Sequence, residues 1–138
     1  METYVYKAKV VKIIDGDTID VDIDLGFDIV LKKQRIRLYG IDTPESRTKN
    51  SEEKKRGMLS KNYVISKMPV GSSIKLVSHD RGKFGRILGE VFEYNKTTSI
   101  NEEMCKEGYA VPYKGQSKEE LIQLHEANKQ ILIAKGLL

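Results

Sequence analysis

Three short blocks of the chain concentrate residues able to bind cations and phosphate: Asp15-Gly16-Asp17-Thr18, the run from Arg37 to Glu45, and Lys83-Phe84-Gly85-Arg86. The first sets two carboxylates around a glycine, a crowding tolerable in open water or around a shared cation. Asp-Gly is also an ordinary hairpin signal, so on its own this block reads first as a plain turn. The second block brings Arg37, Asp42, Thr43 and Glu45 to the end of an extended run, where Pro44 turns the backbone. A hard cation such as calcium takes several oxygen ligands from carboxylates and backbone carbonyls, and Asp17, Asp42 and the Thr43 carbonyl could supply them. Glu45 lies beyond those ligands, where a carboxylate could orient or deprotonate an attacking water. The competing reading is a strand-loop junction in which Arg37 is salt-bridged to Asp42. In the third block the glycines predict a turn that presents Arg86. An arginine fork donates two hydrogen bonds to adjacent oxygens and stays charged, so Arg37 and Arg86 could bracket one phosphodiester and stabilise the charge that builds during its reaction. Calcium would add Lewis acidity.

Other chemistries find less support. Asp20, Asp22 and Asp24 invite a calcium-loop reading, but that loop needs Gly at its sixth position and Glu at its twelfth. Those positions hold Leu25 and Leu31, so the three acids are assigned to a strand exterior. His79 and His125 have no metal-ligand spacing and are expected on the surface or packed. Cys105 falls in a short predicted helix with no nucleophile pattern around it, and no Gly-x4-Gly-Lys phosphate loop occurs.

The elements that would position these residues can be read from periodicity. Tyr4 to Ile14 is a strand. Ile19 to Leu25 alternates strictly, with Ile19, Val21, Ile23 and Leu25 on one face, and Ile29 to Tyr39 forms a third strand. Good helix formers run from Glu52 to Met68, with Asn50 and Glu53 at capping-box spacing and Pro69 and Gly71 closing the helix. Strands follow near Ser73 to Ser78 and Ile87 to Tyr94. A short helix begins at Ser99 and ends at Gly108. A last one begins at Ser117, and its Leu121, Leu124, Ile131 and Ile133 are expected to pack on the sheet. The order βββαββαα, mainly β with α (an α+β class), matches the five-stranded OB-fold barrel with three helices, an architecture that often binds oligonucleotides.

Length and composition bound the rest. At 138 residues, 39% apolar and 32% charged, the chain is expected to be a single domain spanning 1–138. One cysteine permits no internal disulfide, no apolar run has bilayer length, and the amino terminus alternates in polarity, so a cytoplasmic monomer that spans no membrane is expected. A phage-encoded enzyme fits that start, and so does a secreted mature form carrying an added methionine. The net charge of +4 is uneven: residues 32 to 86 carry fifteen bases against five acids, +10, between flanks of −4 and −2. Such a block suits a phosphate-rich partner.

The blocks DGDT, R-x4-DTPE and KFGR, in that order, resemble those of the staphylococcal nuclease (thermonuclease) family, from about Val11 to Gly108. The resemblance implies an OB-fold barrel with added helices and a calcium-dependent nuclease acting on DNA and RNA with little sequence preference, leaving 3′-phosphates. It implies that Asp17, Asp42 and the Thr43 carbonyl ligate calcium, with Asp15 a supporting partner. Glu45 would be the water-activating base. Arg37 and Arg86 would hold the scissile phosphate, and Lys83, Phe84, Tyr113 and Lys49 would contact substrate. Phe84 stands where the best-known member has Tyr, which keeps a stacking surface and loses a phenol hydrogen bond. The segment Tyr109 to Lys114 is shorter than the family's. The alternative is an OB-fold module that binds nucleic acid without cleaving it.

Overall fold

A computed structural model describes residues 4–81 and 85–138. Five strands close into a barrel: β1 (Val5–Asp15), β2 (Thr18–Asp24), β3 (Val30–Leu38), β5 (Ser73–Arg81) and β6 (Ile87–Phe92), in the spatial order β1-β2-β3-β6-β5. All neighbouring pairs are antiparallel except β3 with β6, where Ile36, Arg37 and Leu38 pair with Ile87, Leu88 and Gly89. That single parallel pair closes the barrel. Alternation decides which face of each strand is buried: Ile19, Val21 and Ile36 are fully enclosed, as are Val10, Leu76 and Val91 within 1%. Each such side chain contributes about 1.5–3 kcal/mol relative to exposure. Two register shifts in β1, between Val10 and Lys12 and between Ile13 and Asp15, are bulges that sharpen its curvature.

Leu25 departs from the predicted pattern. β2 stops at Asp24, whose Oδ1 accepts from the Gly26 N–H at 2.8 Å, and Gly26 then takes the left-handed conformation (φ 78°). The strand therefore ends one residue early and Leu25 is 40% exposed. Asp20 and Asp22 do stand on the outside, facing Arg35 at 2.9 Å and Lys32 at 3.4 Å.

Two further strands, β4 (Ile41–Asp42) and β7 (Val111–Pro112), form a small antiparallel ribbon. They are two residues each, too short for any periodicity to announce. Helix α1 (Ser51–Lys67) is capped by Asn50, whose side chain accepts from the Glu52 and Glu53 N–H groups, and it packs along β1 with Gly57, Ser60 and Val64 inward. Helix α2 (Ile100–Glu107) is capped by Ser99 and ends at the left-handed Gly108. Helix α3 (Lys118–Ala134) starts at Ser117 as predicted, but it does not lie on the barrel. Its contacts go to β7. Leu132 is its one buried side chain among the described residues, while Leu124, Ile131 and Ile133 are about 40% exposed. The barrel face expected for α3 is covered by α1 and α2, which leaves α3 beside the ribbon that carries Asp42. None of the helices among the described residues is long and apolar enough to cross a membrane.

Candidate phosphate and cation site

The site forms where the β1–β2 turn, the end of β3 and the β4–β7 ribbon meet. Asp15 pairs with Thr18 across the turn, leaving Gly16-Asp17 as a two-residue loop. Neither residue has a positive φ, so this is not the primed Asp-Gly hairpin that the dipeptide suggests. Gly16 is required for a different reason. A Cβ there would stand 2.8 Å from Ser60 Cβ of α1 and 3.2 Å from Thr43 Cγ2, so only glycine lets the turn reach both. The backbone of Asp17 is then tied to β3, its carbonyl accepting from the Leu38 N–H at 2.8 Å.

Arg37 is the hub. It sits in β3 between Thr18 of β2 and Leu88 of β6, which fixes its Cα from both sides. Its Nη1 donates to the carbonyls of Leu38 and Ile41 and lies 3.4 Å from Asp17 Oδ2, and its Nη2 lies 3.6 Å from Asp42 Oδ1. One guanidinium thus draws together two carboxylates that are 25 residues apart. Asp17 is held further by Thr18 Oγ1 on Oδ1 (3.1 Å) and by the Thr43 N–H on Oδ2 (3.4 Å). Asp42 is held by the ribbon, where it pairs with Val111, and by His125 of α3, whose Nε2 is 2.8 Å from Asp42 Oδ2. The simple salt-bridge reading of Arg37 and Asp42 is therefore true and incomplete, because the same arginine serves Asp17.

Glu45 follows at the exposed rim of the cluster. Its carboxyl is pushed above the ordinary range by partial burial, and then by the negative charges of Asp15, Asp17, Glu53 and Asp42. Gly57 places it: a Cβ on that residue would fall 2.6 Å from Ser46 N and closer still to the Glu45 carbonyl, so α1 lies directly against this backbone. Asp15 bonds not to Asp17 or Asp42 but to the loop after Glu45, accepting from Ser46 Oγ and from Arg47 Nη2. Its support is exerted on that loop.

Beside the cluster a cleft of about 770 Å³ is lined by Arg37, Tyr39, Asp42, Arg86, Tyr113 and Lys114. Arg37 and Arg86 thus open onto one volume, with Tyr113 opposite, its N–H donating to the Gly40 carbonyl at 2.8 Å. Lys49 stays exposed in the loop before α1 and is not among the residues lining that cleft. Lys83 and Phe84 lie outside the described residues.

Among the described residues no three His, Cys, Asp or Glu side chains converge where they could hold a metal ion. Asp17, Asp42 and the Thr43 carbonyl would make an incomplete oxygen shell, of the kind a hard cation completes with water and substrate oxygens. The donors are of the right chemistry. The upward push on Glu45 comes first from its partial burial and then from the acids around it.

His125 was not singled out by the sequence, and no spacing could have done so, since its partner is 83 residues away. His79, the other histidine, stacks on Tyr39 with ring centroids 4.0 Å apart and contacts Glu90 at 2.6 Å. Cys105 is packed, and burial raises its thiol to about 11, which keeps it protonated and unreactive.

A closed five-stranded barrel with one parallel pair, decorated by three helices, defines an OB-fold protein. Residues 35–134 match the family described as staphylococcal nuclease homologue, and the chain belongs to that family. It is similar to a probable staphylococcal-like nuclease of rice, CAN1, at 36% identity over 64% of this chain and 24% of the relative. An uncharacterised protein of Bacillus anthracis is 38% identical over 76% of this chain and 46% of its own length. A micrococcal nuclease of Shigella flexneri is 29% identical over 91% of this chain and 68% of the relative. The first two are much longer proteins, of which this chain spans a quarter to a half.

Proposed function

We propose that the chain is a calcium-dependent nuclease that hydrolyses DNA or RNA with little sequence preference and leaves 3′-phosphates. The observation that carries this reading is Arg37 standing between Asp17 and Asp42 while opening, with Arg86, onto the same cleft. Two guanidinium groups on one cleft suit the non-bridging oxygens of a phosphodiester. Because Arg37 is held by the Leu38 and Ile41 carbonyls before substrate arrives, its stabilisation of charge building in the transition state requires no reorganisation. Tyr113 offers a ring to a neighbouring base, and stacking of that kind tolerates any sequence and either sugar.

Asp17, Asp42 and the Thr43 carbonyl would hold calcium, which when bound supplies Lewis acidity toward a phosphate oxygen. Glu45, at the rim beyond them, accepts a proton from water as the water oxygen bonds to phosphorus. The bond from phosphorus to the 5′ oxygen breaks, that oxygen takes up a proton, and the phosphate remains on the 3′ oxygen. The raised affinity of Glu45 for a proton fits this role, since a base must hold the proton it takes.

The test is cleavage of a single-stranded oligonucleotide by purified protein in millimolar calcium and again after chelation. Cleavage that needs calcium and yields 3′-phosphate ends is expected. Tight binding with no cleavage at any calcium concentration would overturn the enzymatic reading in favour of a binding module.

A further inference from the structure

The contact between His125 and Asp42 joins the carboxy-terminal helix to the acid cluster, and neither the family match nor the sequence motifs assign it a task. His125 is well enclosed, its side chain 13% exposed, and the 2.8 Å contact to Asp42 Oδ2 is made by Nε2. Its other ring nitrogen, Nδ1, is buried without a hydrogen-bond partner. A carboxylate oxygen accepts hydrogen bonds. In the 2.8 Å contact Nε2 is therefore the donor and Asp42 Oδ2 the acceptor. Asp42 then has a partner on each oxygen, Arg37 on Oδ1 and His125 on Oδ2.

The helix that brings His125 here is anchored at that residue and beyond it. Arg56 of α1, buried and ion-paired with Glu52 at 2.8 Å, points Nη1 at the His125 carbonyl (3.4 Å). Asn128 Nδ2 donates to the Ala110 carbonyl at 2.8 Å, directly before β7, the strand that pairs with Asp42. Leu132, 2% exposed, fixes the following turn. The first two turns of α3 thereby wall a hollow of about 240 Å³ shared with Asp42, Thr43 and Glu45.

We propose that His125 is a positioning residue: by donating from Nε2 it fixes the rotamer of the Asp42 carboxylate, so that docking of α3 completes the cation site. This rests on the reading of Asp42 as a calcium ligand. Groups that hold a ligand's orientation typically change metal affinity about 10–100-fold when removed.

The experiment is calorimetric titration of calcium into nucleic-acid-free protein for the wild type and for His125→Phe, His125→Ala and His125→Gln. Melting without calcium serves as the folding control. His125→Phe keeps the packed volume and loses the donor, so it should retain the calcium-free melting temperature and bind calcium at least about tenfold more weakly. His125→Gln, whose amide can reach the same oxygen, should recover most of that affinity. Equal calcium affinity in folded His125→Phe and wild type would overturn the proposal, as would an equal loss in His125→Gln. Wild-type protein that binds no calcium would instead remove the calcium reading itself, and the proposal with it.

Discussion

Glu45 shows how the charge of the site sets the behaviour of a single residue. Its pKa is raised in the folded protein by partial burial and by four neighbouring acids, so the fold holds its proton more tightly than the unfolded chain does. The sign follows from linkage. Stability associated with this group is fully present below the unfolded pKa and is lost as pH rises through the higher folded one. Glu45→Gln removes the loss. Without calcium, this variant should therefore melt about 1–3 °C above wild type at neutral pH, with the gap closing at acidic pH. A scan of melting temperature against pH in chelator reads this directly, and a variant that melts lower at neutral pH would contradict it. The same substitution should abolish most turnover in calcium. Arg37→Ala and Arg86→Ala should each lower kcat by about 10² or more, the scale on which losing one transition-state donor is felt, and single-turnover cleavage is the measure. These residues were legible in the sequence because each motif keeps its chemistry within a few positions. His125 was not, because its role arises only when α3 folds back across 83 positions.

At the scale of elements, what the sequence concealed was how they touch. The barrel strands and all three helices follow from alternation, capping residues and breakers. The β4–β7 ribbon could not be read, since two residues have no period, yet it carries Asp42 to its place. Gly16 was legible as a turn residue and lies in the turn, but the close approach to Ser60 that also requires glycine there was not legible. Gly57 is the sharper case. In a helix interior Ala is favoured over Gly by about 1 kcal/mol, so propensity alone predicts that Gly57→Ala stabilises. The structure reverses the sign. A methyl group there meets the backbone of Glu45 and Ser46, which cannot rotate away as a side chain could. Overpacking of this kind costs about 1–3 kcal/mol, so Gly57→Ala should unfold at lower urea than wild type and should lose activity through displacement of Glu45. Unchanged stability would mean that α1 and this loop separate easily, and unchanged turnover that Glu45 does not depend on them.

Across the whole molecule, the distribution of charge decides how the protein should meet a polyanion. The +10 of residues 32 to 86 suggests a broad basic face. Folding gives five of those bases other work: Lys32 and Arg35 face Asp22 and Asp20, Arg47 faces Asp15, Arg56 faces Glu52, and Lys67 lies near Glu93 and Glu103. The acidic first segment thus forms β2 and the β1–β2 turn, whose carboxylates meet bases drawn from the central block. Among the described residues the cations that line the cleft are Arg37, Arg86 and Lys114, and Arg37 is itself shared with two carboxylates. Each phosphate neutralised on a single strand contributes about −0.7 to the slope of log K against log salt. About three contacts then give a slope near −2, whereas engagement of all fifteen central bases would give one near −10. Fluorescence anisotropy of a labelled single-stranded oligonucleotide, in chelator and over a range of salt, separates the two. A slope steeper than about −5 would mean that binding spreads far beyond the cleft. A shallow slope would mean that nucleic acid is gripped at the site where its phosphodiester is to be cut, with the remaining bases of the central block taking no part.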